Sequence, residues 1–316
     1  MSRLTRFLRS LCMPRVQSFR GDLPPFDPAG MREELKPPHV LPLHGYHPPL
    51  QQPGFPVAVC WSAKSGCTTV LKWFLTQNGL LDEALAYNDW VHAYRQDKLF
   101  AASDYLRECN ALFKNSDRNT SIIKVIRDPT TRAVSSFLHF LRYGHDIKRW
   151  FNGASLTDWK SVVGIEHQEG LSFRQFLAYV TAQQHKGLPL DPHFHPQYDS
   201  QQDPMVDTYI RLEDLSCGLR AVEARYGLPH VDVENLSVSD HHNPAKKDHA
   251  WPVNAATVPA DQRTLVELGT PPANVFFDPE TLSLIRAAYW TDYEAYGHHY
   301  DTASAMDLHI GERQAA

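Results

Sequence analysis

Lys64, Ser65, Thr68 and Thr69 crowd around Gly66, and about sixty residues later Arg127, Arg132 and Ser135 form a second group. A fixed cation among small hydroxyls and a glycine is equipment for holding a phosphate-like anion. The hydroxyls donate, the glycine lets the backbone come close, and the cation balances the charge. In the second group an arginine fork beside a serine hydroxyl serves the same chemistry. Two such groups suit a ligand that is anionic at both ends.

The elements around them explain how they would be positioned. Val57 to Trp61 is a continuous apolar run between Pro56 and Ser62, the pattern of a strand buried on both faces of a parallel sheet. Ser62 to Cys67 reads as a turn. Thr68 onward reads as a helix, with Val70, Leu71, Phe74 and Leu75 on one face and Asn78-Gly79 as its stop. The free N–H groups at that helix start favour an anion in the turn. Ile122 to Ile126 is a second short strand, interrupted by Lys124. Asp128 then reads as an N-cap and Pro129 as the first helical residue. Arg127 falls at the carboxyl end of that strand, where open α/β sheets bind ligands. Arg132 and Ser135, three residues apart, share a helix face.

Two other readings meet the same residues. A nucleoside-triphosphate loop has the pattern G-x-x-x-x-G-K-[ST]. Here Lys64 precedes Gly66 and no earlier glycine lies in the turn, so the spacing argues against it. A metal-holding Asp128 is the second, and the arginine before it and the proline after it fit capping better.

Together, K-S-G-C-T-T (64–69) and R-D-P-T-T-R-A-V-S-S-F (127–137) resemble the paired signature of sulfotransferases that use 3′-phosphoadenosine 5′-phosphosulfate. His193-Phe-His-Pro-Gln197, followed by Asp207 to Leu215 ending in an acidic turn, is similar to a block of the carbohydrate branch, sulfotransferase family 2. The tail Ile285 to Gly297 is similar to that branch's closing helix. Phe194 stands where the branch usually has Trp, which bears on acceptor fit. The resemblance implies a P-loop-like three-layer α/β fold, a central parallel sheet flanked by helices.

It also implies roles. Lys64 would stabilise charge on the leaving phosphate oxygen, and Ser65, Gly66, Cys67, Thr68 and Thr69 would hold the 5′-phosphosulfate. Arg127 and Ser135 would hold the 3′-phosphate, and Lys246 and Lys247, in a late basic loop, would cover the nucleotide. The product would be 3′,5′-adenosine bisphosphate. The acceptor hydroxyl, of a carbohydrate or glycoconjugate, needs a base, and histidine has a suitable pKa. His92 is the first candidate because it follows the expected strand Asn88–His92; His195 and His193 are the alternatives. No metal is implied. The alternative function is a P-loop-type nucleotide-dependent kinase.

The remaining features set bounds. The chain has 316 residues, 42% of them hydrophobic, enough for one large α/β domain or two small ones. Its net charge of −5 gives no reason to expect nucleic-acid binding, so any anion site is a local basic pocket. Five cysteines without a C-x-x-C pair suit a reducing compartment and a cytoplasmic location. Cys67 reads as a small loop residue rather than a reactive thiol. No stretch approaches the ~20 apolar residues of a membrane span, in contrast to the anchor of Golgi members of the branch. The basic N-terminus, with Leu4, Phe7, Leu8 and Leu11 on one face, would give at most weak membrane-surface contact. Three parts are expected: a basic N-terminus and Pro-rich arm (1–56), a single catalytic domain (57–300) and a tail (301–316).

Overall fold

The computed structural model describes residues 47–102, 104–114, 119–143, 170–187, 190–237 and 250–300. The chain divides into two units, Met1–Pro38 and His39–Ala316, and every described residue belongs to the second. The fold is α/β. Strands β1 (Val57–Trp61), β2 (Ser121–Ile126) and β3 (Thr208–Arg211) form a parallel sheet in the order β1-β2-β3. Val57 pairs with Ser121, and Ile123 with Thr208. This register brings the carboxyl ends of β1 and β2, and the turns that follow them, to one edge of the sheet. Leu50 adds an antiparallel bridge to Val59.

β1 leads into α1 (Cys67–Gln77), and α2 (Leu81–Tyr87) and α3 (Val91–Tyr94) follow. A π-helical turn, Arg95–Leu99, connects toward α4 (Tyr105–Leu112). α5 (Pro129–Tyr143) follows β2 with the expected cap: Asp128 Oδ1 accepts the Thr131 N–H at 2.8 Å. α6 (Phe173–His185) begins at the Ser172–Gln175 capping box. α7 (Leu215–Tyr226) stops at Gly227, with φ +65°. α8 (Val233–Ser237), α9 (Gln262–Leu268), α10 (Pro279–Ala288) and α11 (Trp290–Tyr296) complete the described elements.

Helices flank the sheet through separate apolar clusters. One face, with Val57, Val59, Ile123, Val125 and Ile210, packs on α1 and α7 through Val70, Trp73, Phe74, Leu219 and Val222. Ala58, Cys60 and Ile122, from the other face, meet Leu112, Phe113, Met205 and Val206. A second core gathers Phe137, Phe140, Phe173, Phe176, Phe194 and Phe276 between α5, α6 and the C-terminal elements. Phe194, the departure from Trp, is therefore an interior residue with its ring 5.2 Å from Phe176.

Two expectations are corrected. No strand forms at Asn88–His92. Asn88 ends α2, its Oδ1 takes the Trp90 N–H at 2.8 Å in a tight turn, and His92 lies in α3. Asn and Asp favour such local bonds over a ladder. The closing helix is also two helices, broken at Tyr289 with φ −126° and ψ 32°. Among the described residues no helix is long and apolar enough to cross a membrane. Lys246, Lys247 and the N-terminal segment lie outside the described residues.

Candidate active site

The turn after β1 is strained in a useful way. Lys64 has φ +70° and Gly66 has φ +76°, so the chain curls on both sides of Ser65. The left-handed region costs an ordinary residue about 1–2 kcal/mol, strain typical of binding loops. The site is also closely packed: a Cβ at Gly66 would lie 2.5 Å from Leu212 Cδ1, so that side chain would have to shift. Gly66 caps α1 without any side-chain hydrogen bond. The first N–H groups of the helix, at Cys67 to Thr69, are left for a ligand.

Gln197 joins this turn to the one after β2. Fully buried, its Oε1 accepts the Ser65 hydroxyl at 2.8 Å, the Ser62 hydroxyl at 3.3 Å and the Arg127 backbone N–H at 2.9 Å. Its Nε2 donates to the Arg127 carbonyl at 2.9 Å. Its own N–H donates to Asp292 Oδ1 at 2.7 Å, and its carbonyl accepts from Lys124 Nζ at 2.8 Å. Lys124 is held in turn by Asp203 at 2.5 Å, whose other oxygen takes the hydroxyls of Tyr209 and Tyr296. Two more bonds tie the turns directly: Arg127 Nη1 to the Lys64 carbonyl at 3.0 Å, and Arg132 Nε to the Ala63 carbonyl at 3.1 Å. The lysine that interrupts β2 is thus a buried anchor for the Gln197 strap.

Cations gather between the turns, with Glu213 and Asp128 acting on Arg127 and Asp292 on Arg132. Burial lowers the Lys64 ammonium to about 8, and Arg127, Arg142 and Arg132 push the same way. Burial lowers the Arg127 guanidinium too. The Arg132 side chain is buried, and its two terminal nitrogens have no hydrogen-bond partner among the described residues. Such an arrangement gains most from a bound anion.

Of the histidines, His92 reaches the first turn: its Nε2 lies 3.0 Å from Thr68 Oγ1. Burial, then Arg95 and His193, hold it down at about 3, so it is neutral at physiological pH. His193 is quarter-exposed; its Nδ1 meets Asp191 Oδ1 at 2.6 Å and its ring stacks 3.8 Å from His139. His195 turns its Nδ1 toward the Pro196 carbonyl at 3.2 Å, and burial lowers its pKa.

The structure therefore brings together Lys64, Ser65 and Arg127, and separately Thr68 with His92. Gly66, Cys67 and Thr69 sit at the same helix start. Ser135 lies two turns into α5, half-buried, on the stretch that begins at Arg127. Sequence reasoning missed the work of Gln197, Asp292, Lys124 and Asp203. The spacing that could have found it is the fixed step from His193 to Gln197 in the H-F-H-P-Q block.

Neither the comparison with curated proteins nor that with solved structures gave a match. A protein-family model described as the sulfotransferase family matches residues 52–301. That span takes in the Lys64 turn, the Arg127 turn, the Gln197 strap and Asp292, so the chain belongs to the sulfotransferase family.

Proposed function

We propose that the protein moves a sulfuryl group from 3′-phosphoadenosine 5′-phosphosulfate to an acceptor hydroxyl, probed first with carbohydrates. The observation that carries this reading is the shared bonding of Ser65 and Arg127 to Gln197, which ties the two turns assigned to anions to one another. A donor with phosphate at both ends matches such a pair, in a P-loop-like fold.

Sulfuryl transfer asks the protein to position the reactants and then balance charge. The helix N–H groups at residues 67–69, with Thr68 and Thr69, are assigned to the 5′-phosphosulfate. Ser65 orients the turn through Gln197, and Cys67 is a small residue of the helix start. Lys64 is assigned to the oxygen that separates from sulfur. Arg127 and Ser135 are assigned to the 3′-phosphate, and Lys246 and Lys247 to its cover. His92 is assigned as the base on position, from its contact with Thr68; burial holds its pKa at about 3, which makes it a weaker base than an ordinary imidazole. His193 is the second candidate, because Asp191 on Nδ1 leaves Nε2 to accept a proton.

The test is transfer of labelled sulfate from the donor to a panel of hydroxylated acceptors. Loss of transfer in Lys64→Ala, and a fall of about 10²–10⁴-fold in kcat in His92→Ala, would support the reading. Full activity in His92→Ala with a dead His193→Ala would move the base to His193. Stabilisation by magnesium–ATP alone would favour the kinase reading instead.

A further inference from the structure

Trp61, the last residue of β1, is surrounded by buried polar groups that have nothing to bond among the described residues. Its own Nε1 has no partner, and neither do both ring nitrogens of His47, Nδ1 of His92, or Nε and Nη1 of Arg95. The groups are packed together. The His47 ring lies 4.5 Å from the Trp61 ring, the His92 ring 6.4 Å, and the Arg95 guanidinium carbon 4.7 Å. Arg95 is only 5% exposed and opens the π-helical turn, a feature frequent at functional sites.

The chemistry of this cluster is one-sided. The titratable neighbours of His47 are Arg95, His193, His92 and Arg132, all of basic type. Cys67 and Tyr105 are the groups whose charge would act on Arg95. Stacking on Trp61 and Phe100 satisfies the faces of the guanidinium but none of its N–H groups. A buried cation without a partner is costly, and so is each orphaned donor. Several in one place, at the carboxyl end of a parallel strand, are what a bound anion would repair.

We propose that Arg95, His47 and Trp61, bordered by His92, form a third anion site, separate from the two phosphate turns, that takes a small oxyanion such as a sulfate or carboxylate. His92 links it to Thr68 and so to the reacting end of the donor. The oxyanion has two available sources: the donor's sulfuryl group, or an acidic group on the acceptor beside the hydroxyl. The site deepens the sulfuryl-transfer reading and rests on it for the identity of these neighbours.

The experiment starts from full-length protein saturated with 3′,5′-adenosine bisphosphate, which lacks the sulfuryl group. A bisphosphate that gives no thermal shift would sink the sulfuryl-transfer reading itself. With the shift established, inorganic sulfate is titrated. The site predicts a further saturable rise in Tm. Arg95→Met should abolish it while its ligand-free Tm stays level or rises, because a buried charge with two orphaned nitrogens has gone. His47→Phe, which keeps the stacking, should weaken the sulfate response several-fold. A second arm compares donor and bisphosphate affinity in Arg95→Met. Loss of at least tenfold for the donor alone assigns the site to the sulfuryl group. Unchanged donor affinity, with sulfate competing against an acidic acceptor, assigns it to the acceptor. An intact sulfate response in Arg95→Met, or a ligand-free Tm lowered by several degrees, would overturn the proposal and make Arg95 a packing residue.

Discussion

The Ser65 hydroxyl and the Arg127 backbone N–H donate to the same atom, Oε1 of Gln197, at 2.8 and 2.9 Å. Gln197→Ala removes that atom and the donor to the Arg127 carbonyl, and orphans several buried groups. The expected cost is about 2–4 kcal/mol of stability by urea unfolding. Affinity for the bisphosphate should fall at least tenfold in the folded variant. Unchanged affinity would show that the turns align without Gln197.

Lys64 sets a pH dependence. Its folded value is about 8 against an ordinary 10.5. Between these values the unfolded chain binds more protons, so Lys64 makes stability rise with pH through that window. Ligand binding runs the other way: an anion favours the ammonium, so bisphosphate affinity should decline as pH climbs above about 8. Calorimetry at pH 7, 8 and 9 checks this, and Lys64→Met should lose the slope.

The buried histidines act at acid pH. His92 is lowered to about 3, and burial lowers His47 and His139 as well. Below the unfolded value of about 6.5, the unfolded chain takes up protons that these rings refuse. Their contribution is complete above that pH and is lost as pH falls below it, by up to about 1.4 kcal/mol per pH unit for each ring. Urea midpoints between pH 7 and 5 should drop accordingly, and His139→Phe should flatten the curve. A flat curve in the parent protein would contradict the burial of these rings.

Lys124 and Asp203 form a buried pair at 2.5 Å beneath the Gln197 strap. Removing one partner strands the other. Lys124→Met should therefore cost about 3–5 kcal/mol, and Lys124→Met with Asp203→Asn should cost less than the single change. A double-mutant cycle in urea measures the coupling; strict additivity would show that the pair acts independently.

The turns and their helices were legible in the sequence because each rests on local chemistry. The glycine turn at Gly66 and Asp128-Pro129 at a helix start are each set within a few residues. Asn88–His92 misled because Asn88 prefers a local turn to a ladder: its side chain takes the Trp90 N–H. The Gln197 hub was out of reach for another reason. Its partners Ser65, Arg127 and Asp292 are separated from it by 132, 70 and 95 residues, and no local pattern encodes such bonds. Lys124 read as an interruption of a strand, since only Asp203, 79 residues on, makes it a sensible interior residue.

The central claim is that the Lys64 and Arg127 turns hold the two ends of one nucleotide. Calorimetric titration of chelator-treated protein with 3′,5′-adenosine bisphosphate and with adenosine 5′-phosphate tests it most directly. The account predicts metal-independent binding of the bisphosphate at least a hundredfold tighter than the monophosphate. Equal affinities for the two, or binding of magnesium–ATP in place of the bisphosphate, would contradict it.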